Sequence, residues 1–409
     1  MRLAALAPLL AVAFFTAWHA DGAITIDTVP VGDAGNSNDP AWGNQFGGVA
    51  YNYDIGKYDV TVGQYTAFLN AVAVTDTYGL YNPSMATDLN VAGIMQNGSS
   101  GNYTYSVIGS SANLPITYVS WGDAARFSNW LSNGQPGLVT PVPQDDHSTE
   151  QGSYTLNGAT TDIDLAVVRN ATATWVIPTE SEWYKAAFYD QTLNSGAGGY
   201  YANPFSNNAV PTSALPGSTP NTGNFQAATG PNSLTDVGAY TGSASPSGAF
   251  DMGGNVWQWN ETLSEPVPDL VFRGHRGGSW AENSFYLGSY YQNGIIPTSE
   301  RDDVGFRVAH VTPSIAGDVN DDHVVNGLDI SVIAAHWLLT GATQEQGDAN
   351  GDGVVNGLDI AIIASHWLYT SPTSGAGNGT ASTVPEPTSL ALAALGGLAL
   401  LYIGRLRMR

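Results

Sequence analysis

Residues 248–262 read GAFDMGGNVWQWNET. Asp251 and Asn255 flank two glycines, and short Asp and Asn side chains hydrogen-bond the backbone of tight turns. The same kind of punctuation runs outward on both sides. Gly, Asn, Ser and Thr interrupt most of the stretch from 24 to 310, as expected for short strands and long loops. Three segments depart from this. Thr61 precedes VGQYTAFLNAV, Ser120 precedes WGDAARFSNWL, and Thr179 opens TESEW with Glu182 three residues on. Hydroxyl caps followed by apolar spacing predict helices over Val62–Val72, Trp121–Ser132 and Glu180–Phe188.

These strings carry a resemblance. YDIGKYDVTVGQYTAFLNAV, LPITYVSWGDAARFSNWL, WVIPTESEWYKAAFYD, GAFDMGGNVWQWNET, FRGHRGGSW and DDVGFRVA occur in the order typical of the formylglycine-generating enzyme (sulfatase-modifying factor) family. The resemblance implies an α+β fold, a variant of the C-type lectin-like fold, over 24–310. It implies copper-dependent oxidation of a sulfatase cysteine by two active-site cysteines placed after the GGS(W/Y) string. In this chain those places hold Glu282 and Leu287, and there is no Cys at all. Soft thiolates select Cu(I), which Glu and Leu cannot replace. The resemblance also implies a calcium site at Asp251, the carbonyls of Gly254 and Val256, and Gln258, where the family has Glu. A second family site would begin at Asn224 and Phe225. Some relatives hold iron by histidines; the domain has only His147, His275 and His310, in unrelated motifs.

Arg273, Arg276, Arg301 and Arg307 gather late in this domain. Arg307 reads as a buried arginine pairing with Asp302, Asp303 or loop carbonyls. The alternative is a pocket for a carboxylate or sulfate built from Arg276, Ser279, Trp280, Glu282 and Arg301. Trp257, Trp259 and Trp280 would supply its stacking wall.

Composition narrows the function. The chain has 409 residues, 35 acids against 12 Lys and Arg, and a net charge of −23. So acidic a chain repels phosphate backbones, which argues against nucleic-acid binding. Zero Cys removes disulfides, thiol nucleophiles and zinc–thiolate sites. Charged residues are 11% of the chain, against roughly 25% in ordinary domains.

GDVNDDHVVNGLDISVIAAHWL starts at Gly317 and GDANGDGVVNGLDIAIIASHWL at Gly347, a period of 30 residues. Each opens with oxygen donors at alternating positions, the EF-hand loop pattern with Asp at position 12. The first series is Asp318, Asn320, Asp322, the Val324 carbonyl, Asn326 and Asp329. The second is Asp348, Asn350, Asp352, the Val354 carbonyl, Asn356 and Asp359. Position 6 favours Gly; Gly353 supplies it, while His323 should weaken the first loop. Helices are predicted over Leu328–Trp337 and Leu358–Trp367, with Ile330, Ile333, Ala334 and Trp337 on one face. One helix per loop, duplicated, resembles a type I dockerin within 311–370. That implies calcium and a cohesin-like partner, although Gly-Leu at loop positions 10 and 11 departs from the polar pair of cellulosomal dockerins. A calcium-stapled spacer without a partner is the plainer reading.

The ends read as addresses. Residues 1–23 look like a secretory signal, with Arg2 before an apolar run. After a linker at 371–383, VPEPTSLALAALGGLALLYIGRLRMR at 384–409 resembles a PEP-CTERM sorting signal. It implies an exosortase-type protease, a membrane helix held by its arginines, and delivery to the cell surface or matrix. The whole reads as an exported protein with a non-catalytic recognition domain. The alternatives are an oxidase of the family type, or a component of a polysaccharide-degrading assembly. Its partner is then an extracellular polysaccharide or a protein.

Residues 311–370 hold eight acids and no Lys or Arg, so they repel one another without a cation. This segment should lose helix in chelator and regain it with calcium. Circular dichroism that ignores added calcium would contradict this.

Overall fold

The computed structural model describes residues 23–368, apart from 44, 231–233, 264–269, 314, 321, 323 and 351. The stretches expected to be an export signal, a linker and a sorting signal therefore lie outside the described residues, residue 23 excepted. Among the described residues, no helix is long and apolar enough to cross a membrane.

Three helices appear where the caps and apolar spacing predict them: α1 (Val62–Val72), α2 (Trp121–Ser132) and α3 (Glu180–Phe188). Each starts with a reciprocal capping box. Thr61 accepts from the Gln64 amide, Ser120 from Asp123 and Thr179 from Glu182, while each third residue's side chain reaches back to the cap. Phe68 of α1 meets Phe127 and Trp130 of α2 edge-on or tilted, with centroids 5.3 Å apart in both cases. Such pairs add about 0.5–1.5 kcal/mol to the burial of their area.

Two four-stranded sheets, with three two-stranded ones beside them, make up the sheet structure of the described residues. The first holds β1 (Thr28–Val31), β2 (Tyr53–Gly56), β3 (Trp175–Val176) and β8 (Ala309–His310), in the order β1-β2-β8-β3. Ala309 lies opposite both Ile55 and Val176, so the two ends of the domain close in one sheet. The second holds β4 (Trp257–Leu263), β5 (Arg273–Arg276), β6 (Asn293–Ile295) and β7 (Val304–Gly305), in the order β6-β5-β4-β7. Trp257 to Glu261 are all buried, because β4 has neighbours on both edges and packing on both faces.

The repeats form a module of their own. Its helices, α4 (Gly327–Ala335) and α5 (Gly357–Ser365), end two residues before the predicted Trp337 and Trp367. Leu338 and Leu368 turn left-handed there, at φ 65° and 61°. Ala334 and Trp337 are consequently exposed, and do not share the buried face of Ile333 as expected. The core is Ile315, Val325, Ile333, Val355 and Ile363, drawn from both repeats. The Leu338 amide donates to the Val355 carbonyl and the Leu368 amide to the Val325 carbonyl, each at 2.8 Å. Gly317, at φ +93°, lies on the Ile363 backbone, and Gly347, at φ +100°, on the Ile333 backbone. A Cβ at either would be within about 3 Å of the other repeat's helix, so each loop begins with Gly.

Asp123, inside the first turn of α2, is fully buried. Burial, and then the charge of Glu300, push its carboxyl up to about 7. An unfolded Asp titrates at about 3.9, so between about pH 4 and 7 the native state holds the extra proton and loses stability as pH rises. Asp123→Asn should flatten that decline in urea melts across the window; an unchanged slope would refute it.

Candidate functional site

The family's oxidase position falls in the turn that follows β5. Gly277 and Gly278 take φ of +101° and +72°, which swings the chain back over β4. Ser279 is fully buried, its hydroxyl 3.4 Å from Asp303 Oδ2. Arg301 grips Asp303 from outside, Nε to Oδ1 at 2.9 Å and Nη2 to Oδ2 at 3.4 Å. Glu282 is partly exposed beside this pair. Burial and the Asp303 charge push its carboxyl up, and Arg301 partly offsets them. Leu287 is buried against Phe205 and Phe225. The two positions that the resemblance assigns to cysteine thus hold a carboxylate and a buried leucine. Trp280 packs on the cluster of Val91, Leu234 and Val256, with its indole N–H buried and, among the described residues, without a hydrogen-bond partner.

Arg276 does not join an anion pocket. It is 1% exposed, and its guanidinium is already committed. Nε donates to Glu180 at 2.7 Å, Nη1 to the Ser289 and Tyr291 carbonyls, and its plane lies over Phe46 and Tyr184. Ser279 is likewise enclosed. Trp257 and Trp259 are buried in β4 and offer no stacking wall. Of the expected set, Trp280, Glu282 and Arg301 alone reach toward solvent. Arg307 is buried as expected, but its acid partner is Asp59 and not Asp302 or Asp303.

The expected calcium site in the 251–258 turn is also altered. Asp251 is left-handed at φ 57° and accepts from the Gly238 amide at 2.6 Å. Burial pushes its carboxyl up to about 6. The Gln258 oxygen accepts from Trp183 Nε1 and Arg307 Nε, both at 2.6 Å, and its amide donates to the Asp251 carbonyl. Two donors, one of them a cation, occupy the lone pairs a metal would need. Gln258 is therefore a structural tie in place of the expected ligand. Asn255 closes the neighbouring turn, bonded to Asn224 and to both backbone groups of Thr235.

The histidines do not meet. His275 is buried in β5 against Trp257, and burial pushes its ring down to about 3. His310 is in the other sheet, packed edge-on to Trp175. His147 is in an exposed turn.

In the repeats, oxygen donors gather where the spacing places them. Asp329 Oδ1 accepts from the Val319 and Asn320 amides and Oδ2 from Asn326. Asp318 Oδ1 and Asn320 Oδ1 both accept from the Asp322 amide. The second loop repeats this with Asp348, Asn350, Asp352 and Asp359. Gly353 is left-handed at φ 78°, the turn that position 6 requires, while His323 lies outside the described residues. Asn326 and Asn356 also cap their helices. Each side-chain oxygen accepts from Leu328 or Leu358, at 2.7 and 2.8 Å, and each amide donates to the Val324 or Val354 carbonyl. The cap engages one of the two lone pairs of each position-9 oxygen. Among the described residues no three His, Asp or Glu side chains are arranged as a metal-holding group. The donors fit a hard cation by type, with the carboxylates folded onto loop amides.

The sequence missed the ties that hold this face. Arg169 bridges Glu182 at 2.8 Å and Glu261 at 2.6 Å, and Glu180 anchors Arg276. No spacing signal links residues so far apart. Arg276→Ala should cost about 3–5 kcal/mol, because it leaves Glu180 and two carbonyls unpaired inside the fold. Arg301→Ala, at a side chain 53% exposed, should cost less than about 1 kcal/mol. Equal costs in chemical denaturation would contradict this assignment.

The sulfatase-modifying factor enzyme 1-like domain matches residues 36–312, and the dockerin type I domain matches 316–368. A hercynine oxygenase of Mycolicibacterium thermoresistibile is 29% identical over 219 residues, 46% of this chain and 44% of that protein. The chain thus spans under half the length of that curated relative. CarF superposes with a TM-score of 0.41 at 19% identity, covering 70% of this chain and 98% of CarF. PvdO from Pseudomonas aeruginosa gives 0.35 at 18%, covering 69% and 90%. Likeness that distant carries no argument about the site. The match over 36–312 spans most of the chain: the protein belongs to the sulfatase-modifying factor enzyme 1-like family and carries a dockerin type I module after that domain.

Proposed function

We propose that this is an exported cell-surface or matrix protein whose large domain recognises a ligand and does not oxidise one. The observation that carries the reading is the pair Glu282 and Leu287. The first is a hard carboxylate beside Asp303 and the second is buried in apolar surroundings. Neither can serve as the thiolate that holds Cu(I), and the chain has no Cys to substitute. The low-charge, aromatic-rich body is organised as 24–310, followed by the repeats at 311–370, a linker at 371–383 and the sorting signal at 384–409.

The repeats supply a calcium module. Asp318, Asn320, Asp322, the Val324 carbonyl, Asn326 and Asp329 would hold one ion, and Asp348, Asn350, Asp352, the Val354 carbonyl, Asn356 and Asp359 the other. Calcium there would neutralise acids that have no basic neighbour in sequence. Through this module the chain would join a cohesin-like protein. An exosortase-type enzyme would process the tail, leaving the body at the surface beside extracellular polysaccharide.

A second reading, oxygen chemistry, is favoured by the likeness to a protein named hercynine oxygenase. Against it stand the separate places of His147, His275 and His310. Incubation with Cu(I), O₂ and a peptide carrying the sulfatase cysteine motif, and in parallel with Fe(II), O₂ and hercynine, separates the readings. Mass spectrometry should find the peptide cysteine and hercynine unchanged; a formylglycine or an oxygenated hercynine product would overturn the proposal.

A further inference from the structure

A cavity of about 490 Å³ opens between the loop at 33–40 and the hairpin at 189–200. It shares no residue with the turn after β5, and it falls within the roughly 300–1,000 Å³ of small-molecule sites. Its wall includes Asp33, Asn36, Asn38, Asp39, Asn194, Tyr189 and Tyr200, with glycines between them.

The chemistry of that wall selects its ligand. No Lys or Arg lines it. Lys185 lies below, fully buried, with its ammonium donating to the Asp33 carbonyl at 2.9 Å. A phosphate, sulfate or uronate would meet carboxylates and no free cation. An apolar ligand would strip water from the Asp33 lone pairs that the Tyr189 hydroxyl does not engage, at a cost of about 1–3 kcal/mol or more. A neutral polyol satisfies both constraints. Its hydroxyls donate and accept, and its C–H faces rest on aromatic rings.

The wall is also held in place before any ligand arrives. The Tyr189 hydroxyl donates to Asp33. The Tyr200 hydroxyl donates to the Ser37 carbonyl and accepts from Asn36 Nδ2, both at 2.7 Å. Asn38 Oδ1 accepts from the Gly48 amide at 2.6 Å, and Asn194 Nδ2 donates to the Gly198 carbonyl at 2.8 Å. The two tyrosine rings are 5.0 Å apart and tilted by 59°, forming a corner and not a flat patch. Fixed walls reduce the ordering cost of binding a small, weakly held ligand.

We propose that this cavity binds a neutral saccharide unit of an uncharged polysaccharide. The inference rests on the reading that the domain recognises and does not oxidise, and it names the ligand class and a place away from the family's oxidase position.

The test is calorimetric titration of the full chain with cellohexaose, xylohexaose and maltohexaose, with hexagalacturonate as the charged control. At least one neutral hexamer should bind, and hexagalacturonate should not. Ala197→Trp, at an exposed rim residue, and Tyr189→Ala should each weaken binding at least about tenfold, or 1.4 kcal/mol. Thermal melting of both variants reports that they fold, and Val139→Ala, at an exposed residue away from both sites, should bind as the parent does. Absence of binding by every neutral hexamer at millimolar concentration overturns the inference. So does binding that survives Ala197→Trp, or that is lost in Val139→Ala. In each of those cases the recognition reading still stands unless the copper assay yields formylglycine or the iron assay an oxygenated hercynine.

Discussion

The body of this protein depends on one buried guanidinium. Arg307 is fully enclosed and donates to Gln258 Oε1, the Gly56 and Phe250 carbonyls, and Asp59 Oδ1. Those acceptors come from the end of β2, the loop behind it, the 250 turn and β4. One side chain thereby fixes the spacing between the two sheets. Burial pushes the Asp59 carboxyl up and the Arg307 guanidinium down, so each relies on the other's charge. Breaking such a pair costs about 3–5 kcal/mol, because the remaining charge is stranded. The same bond engages the oxygen of Gln258, so the tie that holds the sheets together also removes a donor from the family's calcium position.

This is a general habit of the chain. Eight basic residues lie between Arg2 and Arg405, and Arg126, Lys185, Arg273, Arg276 and Arg307 are buried. Arg126 holds Glu150 at 2.8 Å, and Arg273 lies 3.7 Å over the Trp121 ring while its donors reach three carbonyls. Cations here are internal ties. What remains outside is mostly acid, amide and hydroxyl. A surface so composed has little with which to hold an anion.

Local features were legible in the sequence, and distant ones were not. Thr61, Ser120 and Thr179 announce helices because a cap and its partner are three residues apart. The repeat was legible because its oxygen donors recur within one short loop. Arg307 and Gly56 are 251 residues apart, and nothing in either neighbourhood encodes the meeting. Residue type misled in the same way at Arg276 and Gln258. A guanidinium near a cleft suits an anion, and an amide oxygen suits calcium, until the fold supplies Glu180 for one and Arg307 for the other. GDAGNSNDP, at 32–40, reads as any Gly- and Asn-rich turn. It becomes a wall only because Tyr189 and Tyr200 are brought against it.

The two repeats show the same dependence at a smaller scale. A half with one loop and one helix has too little apolar surface to fold alone. Gly317 needs the Ile363 backbone and Gly347 the Ile333 backbone, and the strap after each helix bonds to the other half. Neither loop therefore holds its shape without the partner repeat. The acids on both loops oppose this closure through their mutual repulsion, and the segment contains no Lys or Arg to relieve it. An ion in one loop lowers that opposition for the pair. Buried arginines balance some of the body's acids; this module has none, and its charge is left for a bound cation to balance.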